Sequence, residues 1–102
     1  MIAKGRPKKT RMVQGEPKIL QFSPRGRAGR PDEIELELAE FEALRLVDHQ
    51  KKDQSEGAKV MGISRPTFGR ILRSARSKVA DSLVNGKIIR ISGQNPAIAQ
   101  QK

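Results

Sequence analysis

The segment from Asp53 to Ala80, DQSEGAKVMGISRPTFGRILRSARSKVA, constrains the fold of this chain more than any other segment. Asp53 begins a capping-box pattern, and Gly62 is a good stop for the helix that this pattern starts. Ser64 is a good N-cap for a second helix, which has Pro66 in its first turn. The segment therefore predicts two helices joined by a tight turn, the form of a helix-turn-helix.

The second helix of this segment, from about Arg65 to Leu83, has two different faces. Its apolar stripe comprises Phe68, Ile71, Leu72, Ala75 and Val79. The opposite face carries arginines and small residues, and no Asp or Glu lies between Arg65 and Lys78. Because an arginine can bond guanine through two hydrogen bonds or reach a phosphate, this face favours a helix that enters the DNA major groove. A solvated surface helix is the alternative, although such a helix usually mixes charge signs.

The candidate DNA contacts follow from this face and from the basic N-terminus. On the second helix and its cap they are Ser64, Arg65, Pro66, Thr67, Arg70, Arg73, Ser74, Arg76, Ser77 and Lys78. Near the N-terminus they are Lys8, Lys9 and Arg11. Two alternatives stay open: Ser64 acts only as a cap, and the basic N-terminus is a tail that only aids solubility.

The net charge of +10 is unevenly distributed along the chain. Residues 1–30 carry nine basic residues and one acid, residues 31–48 carry one basic residue and seven acids, and residues 49–102 carry eleven basic residues and three acids. Two basic blocks around an acidic one predict two surfaces that bind a polyanion and a third, acidic surface that does not. Charge alone also suits an anionic membrane or an acidic protein, so it supports nucleic acid without requiring it.

The 102 residues are enough for one small domain. We interpret residues 1–17 as a flexible basic arm, 18–91 as the folded domain and 92–102 as a disordered tail. Short strands are predicted at 18–22 and 87–91, and they can pair within one chain or between two chains of a homodimer. The predicted fold is thus mainly α, with three or more helices and short flanking strands.

An acidic helix is predicted at about residues 38–50, after an apolar alternation at Ile34, Leu36 and Leu38. No good N-cap residue stands at its start. Glu40 and Glu42 lie in this acid-rich segment without a nucleophile or a phosphate loop nearby, so we assign both to a solvated face.

Several classes of function are disfavoured by what the chain lacks. It contains no Cys and one His, so we expect no metal centre and no cofactor, and His49 is interpreted as an exposed residue at a helix end. No apolar run reaches the length of a membrane span, and the N-terminus lacks a signal-peptide core. We expect a cytoplasmic protein that is not an enzyme.

Four strings in this sequence resemble a known family: EALRLVD at 42–48, MGISRPTFGRIL at 61–72, ARSKVADSLVNGK at 75–87 and GRPKK at 5–9. The chain resembles uncharacterised protein family 0251, also called domain of unknown function 134, over residues 4–93. The resemblance implies a helix-turn-helix similar to region 4 of sigma-70-type factors and a predicted DNA-binding role. It also places five residues on the recognition helix: Arg65, Pro66, Thr67, Arg70 and Arg73. Relatives often carry cysteines where this chain has residues 10–13, so no metal or redox role is transferred.

Two hypotheses of different classes follow. The first is sequence-specific binding of double-stranded DNA by a transcriptional regulator, with the recognition helix at about 65–83 in the major groove. The second is a protein-interaction adaptor that contacts RNA polymerase through the acidic segment 33–48. RNA binding is disfavoured, because three Phe and no Tyr or Trp leave few aromatic rings for base stacking.

Overall fold

The computed structural model describes residues 12–26, 29 and 31–92. The elements follow in the order β1 (Gln21–Phe22), β2 (Glu33–Glu37), α1 (Leu38–Leu44), a π-helical turn (Arg45–His49), α2 (Gln54–Met61), α3 (Arg65–Asn85) and β3 (Ile88–Ser92). The prediction of a small helical domain with short strands is confirmed. Ser92, which was assigned to the tail, is the last residue of β3, and the rest of the predicted tail lies outside the described residues.

The three strands form one sheet in the order β1-β3-β2. β1 pairs antiparallel with β3, with Phe22 opposite Ile89, so the strands predicted at 18–22 and 87–91 pair within one chain. β2 pairs parallel with β3, and Leu36 lies opposite Ile91. The alternation seen in the sequence therefore belongs to a strand, because Leu36 is buried under the helices while Glu35 and Glu37 are exposed.

The helix predicted at 38–50 is divided into α1 and the π-helical turn. The N–H of Gln50 donates to the carbonyl of Arg45 at 2.9 Å, which is the wider ring of a π-helix. Glu37, which is not a favoured N-cap residue, stands at the start of α1, and the side chain of Glu40 accepts its backbone N–H at 2.9 Å. Glu40, in the first turn of α1, thus satisfies a backbone donor at the start of the helix.

The two helices and the turn between them follow the prediction closely. Asp53 accepts the N–H of Glu56 at 2.8 Å, and the side chain of Glu56 accepts the N–H of Asp53 at 3.0 Å. Gly62 ends α2 with φ at 67°, in the left-handed region where glycine is favoured. Ser64 accepts the N–H of Thr67 at 3.2 Å and so caps α3.

α3 joins two clusters of buried side chains. Its N-terminal half supplies Phe68 and Leu72 to a cluster that also contains Leu46 and Met61. Farther along, Ala75 contacts a second cluster, formed with residues of the sheet. Every side chain in this paragraph is at most 1% exposed, so α3 has a fixed rotation about its own axis.

Residues 12–15 pack against the helices. The N–H of Met12 donates to the carbonyl of Met61 at 3.1 Å, and the side chain of Val13 is 6% exposed. These four residues belong to the packed domain, and not to the flexible arm that was predicted over 1–17. Residues 1–11 of that arm lie outside the described residues.

Candidate nucleic-acid interface

The outward face of α3 is a regular stripe of exposed residues. Its members are Pro66, Arg70, Arg73, Ser77 and Ala80. Their spacing alternates between four and three residues, which is the spacing of one face of an α-helix. The buried side chains of Phe68, Leu72 and Ala75 hold this stripe away from the core. The face predicted from the sequence is therefore the face that solvent reaches.

The N-terminal end of α3 is polar and ordered. The hydroxyl of Ser64 donates to Oγ1 of Thr67 at 2.9 Å while it accepts the N–H of the same residue. A guanidinium nitrogen of Arg70 lies 3.4 Å from Oγ1 of Thr67, at the long end of hydrogen bonding. Ser64, Arg65 and Pro66 are exposed around this network, so the cap and the first turn face solvent together.

Three arginines of this region keep their positive charge uncompensated. Across residues 12–26, 29 and 31–92, the side chains of Arg65 and Arg73 make no ion pair or hydrogen bond, and the side chain of Arg70 reaches only the hydroxyl of Thr67. All three are exposed and lie within nine residues of one helix. A concentrated positive charge of this kind attracts phosphates.

The predicted contacts Ser74 and Lys78 are instead bonded inside the protein. The hydroxyl of Ser74 donates to Glu40 at 2.6 Å, and Nζ of Lys78 lies 2.8 Å from the same carboxylate. Nζ of Lys78 also donates to the carbonyl of Glu35 at 2.9 Å. Glu40 is 6% exposed, so its assignment to a solvated face is wrong. Its position in a helix that packs on α3 removes it from water, which the acid-rich sequence did not indicate.

Burial acts to raise the pKa of Glu40, but the hydrogen bonds from Lys78 and Ser74 outweigh this effect. The pKa of Glu40 therefore lies below its ordinary value, and the group is charged at neutral pH. A charged carboxylate here ties α1 to the middle of α3.

Arg76, also a predicted contact, pairs with Asp48 through two hydrogen bonds of 2.8 and 3.1 Å. The bond with Arg76 is the main cause that lowers the pKa of Asp48. The side chains are 50% and 43% exposed, so water screens the pair and its contribution to stability is at most about 1 kcal/mol. The positive charge of Arg76 is thus partly neutralised, unlike that of Arg73.

Glu42 was also assigned to a solvated face, and that assignment is wrong because its side chain is fully buried. Its carboxylate binds Nε and Nη2 of Arg45 at 2.8 and 2.9 Å. Burial acts to raise the pKa of Glu42, and the hydrogen bonds from Arg45 and from the N–H groups of Gln14 and Gly15 outweigh it, so the pKa lies below its ordinary value. The spacing of Glu42 and Arg45 in a helix was the signal available in the sequence.

The remaining sequence predictions concern the basic N-terminal residues, His49, a metal site and a membrane span. Lys8, Lys9 and Arg11 lie outside the described residues. His49 is exposed at the end of the π-helical turn, as predicted. Over the described ranges, no group of three or more His, Cys, Asp or Glu side chains is placed to hold a metal ion. None of the helices in that part of the chain combines the length and apolar character needed to cross a membrane.

The fold and this surface define a class: a small helical domain with a three-stranded sheet and a cluster of exposed arginines on its longest helix. The chain belongs to the family described as protein of unknown function DUF134, whose model matches residues 1–98.

It is 47% identical over 98 residues to a UPF0251 protein of Thermoanaerobacter sp. (strain X514), a match that covers 95% of this chain and 87% of the relative. It is 50% identical over 91 residues to a UPF0251 protein of Methanococcus maripaludis (strain C7), covering 88% and 70% of the two chains. No solved structure matches this chain.

Proposed function

We propose that this protein binds double-stranded DNA in a sequence-specific manner and acts as a transcriptional regulator. The observation that carries the proposal is the group of exposed arginines in the first half of α3, Arg65, Arg70 and Arg73, whose side chains have no acidic partner among the described residues. Such a cluster costs stability through mutual repulsion, and a polyanion removes that cost. α3 is the recognition helix of this proposal and enters the major groove.

The geometry of α2 and α3 supports the interpretation as a helix-turn-helix similar to sigma region 4. Gly62 and the Ser64 cap make the connection short, as such a unit requires. Gly57 lets the ring of Phe68 lie directly against α2, because a Cβ at this position would be 2.5 Å from Cζ of that ring. The two helices are therefore locked together, and α3 can be presented to DNA as a rigid element.

The proposed roles of the predicted contacts differ. Arg70 and Arg73 reach base edges or phosphates, and the cap at Ser64 approaches a phosphate. Arg65, Pro66, Thr67 and Ser77 border the same surface. Ser74 and Lys78 act indirectly, since their bonds to Glu40 hold α3 in place.

The proposal is tested by titrating the full chain onto labelled duplex DNA at several salt concentrations. We expect affinity to fall steeply as salt rises, and the Arg70→Ala plus Arg73→Ala variant to lose about 1–3 kcal/mol for each base contact removed. If the two arginines contact only phosphates, the plot of log affinity against log salt concentration becomes less steep, and the magnitude of its slope falls by about 2.

The matched control is Lys87→Ala plus Arg90→Ala, which removes the same charge from the region of β3. Its affinity should stay closer to that of the parent protein. Undetectable binding at low salt, or an equal loss in both double variants, contradicts the proposal. Selection of bound duplexes from a random library then gives the sequence preference, and half-sites about 34 Å apart would indicate a homodimer.

A second candidate function is an adaptor that binds RNA polymerase through the acidic segment 33–48. The exposure of Glu35 and Glu37 on β2 supports it, whereas Glu40 and Glu42 are buried and unsuited to a direct contact. A pull-down of polymerase that depends on Glu35→Gln plus Glu37→Gln, and not on Arg70 and Arg73, would favour this function over DNA binding.

A further inference from the structure

A short N-terminal segment, Met12–Gly15, is held on the helical domain by contacts at both of its ends, and we call it the anchored segment. At one end, the N–H of Met12 donates to the carbonyl of Met61 at 3.1 Å. At the other end, the N–H groups of Gln14 and Gly15 donate to the carboxylate of Glu42 at 3.0 and 3.3 Å. Val13 between them is 6% exposed, so the segment is fixed by burial as well as by hydrogen bonds.

Glu42 is the centre of this attachment. Its carboxylate receives two hydrogen bonds from Arg45 besides those from Gln14 and Gly15, and its side chain is fully buried. A buried carboxylate is tolerated only when its oxygens are satisfied by donors of this kind. A Cβ at Gly15 would overlap the guanidinium of Arg45, so the segment can lie over this ion pair only because residue 15 is glycine.

The other end of the anchored segment lies at the turn that precedes α3. Met12 bonds the last residue of α2, and its Sδ lies 3.7 Å from the position a Cβ would occupy on Gly62. The chain before Met12 therefore starts beside the capped and exposed end of α3. Residues 4–11 contain five basic side chains, Lys4, Arg6, Lys8, Lys9 and Arg11. Eight residues reach about 26 Å when extended, more than the roughly 17 Å of half a DNA turn.

We infer that Glu42 is a positioning residue for DNA binding: it anchors Met12–Gly15 so that the basic residues 4–11 start at the α2–α3 turn and meet the DNA that α3 contacts. This inference rests on the proposed function. Anchoring lowers the entropy lost when the basic residues engage phosphates, because their starting point is already fixed. Glu42 itself does not touch the DNA.

A double-mutant cycle on the full chain tests this role. One change is Glu42→Gln, and the other neutralises the N-terminal residues by Lys8→Gln, Lys9→Gln and Arg11→Gln. With the N-terminal charges present, we expect Glu42→Gln to weaken binding to duplex DNA by about fivefold. With those charges removed, the same change should have no further effect. Hydrogen exchange at the amides of Gln14 and Gly15 should become faster in the Glu42→Gln protein in both backgrounds.

The control is Glu40→Gln, which alters a second buried carboxylate of the same helix without touching the anchored segment. Its effect on affinity should be equal in both backgrounds. If Glu42→Gln destabilises the fold too far, Gly15→Ala provides a second test, because its methyl group displaces Arg45 without removing a charge.

The inference is overturned if Glu42→Gln and Gly15→Ala each weaken binding equally with and without the N-terminal charges, since both would then act only through stability. If the wild-type protein nevertheless binds DNA, the inference fails but the proposed function stands. Wild-type protein that does not bind DNA removes the proposed function and this inference together.

Discussion

At the scale of single residues, the clearest difference from expectation is the burial of two carboxylates. Glu40 and Glu42 stand in a segment with seven acids, where a solvated face is the ordinary interpretation. In the structure each one has basic or polar donors from distant parts of the chain: Ser74 and Lys78 for Glu40, and the anchored segment for Glu42. Apart from Arg45 and the backbone N–H of Glu37, the donors lie 27 to 38 residues away, so no local pattern identifies them.

Two helical glycines should respond in opposite ways to the same substitution. Gly57→Ala places a methyl group against the ring of Phe68, and we expect a loss of about 1–3 kcal/mol in the free energy of unfolding. At Gly69 a Cβ meets only the end of the Gln54 side chain, at 3.4 Å, so Gly69→Ala should gain up to about 1 kcal/mol from helix propensity. Urea unfolding of both variants measures the difference. Equal destabilisation would contradict the close packing of α2 on α3.

At the scale of elements, the two sides of α3 have different roles, and its sequence places different residue types on each side. It is 21 residues long, and its buried side joins the helical cluster to the sheet. Its outward side is basic near the N-terminal end, while Ser74, Arg76 and Lys78 are engaged by acids of the preceding elements. The surface proposed to meet DNA is therefore the first half of α3, which is a smaller area than the sequence suggested.

The N-cap of α3 provides a test that separates stability from binding. Ser64→Ala removes the acceptor for the N–H of Thr67 and should cost about 1 kcal/mol of stability. Ser64→Asp keeps an acceptor and should retain stability, but its negative charge would face DNA phosphates and weaken binding. Thermal unfolding and DNA titration of both variants give the two readouts. Normal DNA affinity in Ser64→Asp would show that this helix end does not approach DNA.

The elements also differ in how far the sequence predicts them. α2, the turn and α3 were predictable because caps, Gly62 and a helical stripe are all local signals within residues 53–85. β2 was seen only as an alternation, since its partner β3 is more than 50 residues away and the pairing is parallel. The change from α1 to a π-helical turn at Arg45 had no signal in the sequence that we recognise.

At the scale of the whole molecule, the acidic segment 31–48 is folded against the basic second half of the chain. Three ion pairs join an acid of this segment to a base of the second half: Glu40 with Lys78, Asp48 with Arg76, and Glu33 with Arg90. This pairing leaves the N-terminal part of α3 as a site of unneutralised charge.

Acid should destabilise the protein through its two buried carboxylates. The pKa values of Glu40 and Glu42 are lowered in the folded state from an ordinary value of 4.5. The unfolded chain therefore binds protons first, so stability is fully present above pH 4.5 and is lost as the pH falls through the lowered pKa values. Urea unfolding at a series of pH values measures this loss. In the Glu40→Gln plus Glu42→Gln variant, where it folds, the free energy of unfolding should depend less on pH. An unchanged pH dependence would contradict the role of these two carboxylates in acid destabilisation.

The sequence by itself determined the two helices, their caps, the turn and the outward stripe of α3, because each depends on residues only a few positions apart. It also showed membership in the family, through strings shared over most of the chain. Only the tertiary structure decided which charges are neutralised, that residues 12–15 are anchored by Glu42, and that the strands pair within one chain. These features depend on contacts between residues far apart in the chain, whose energies appear only after the helices have packed.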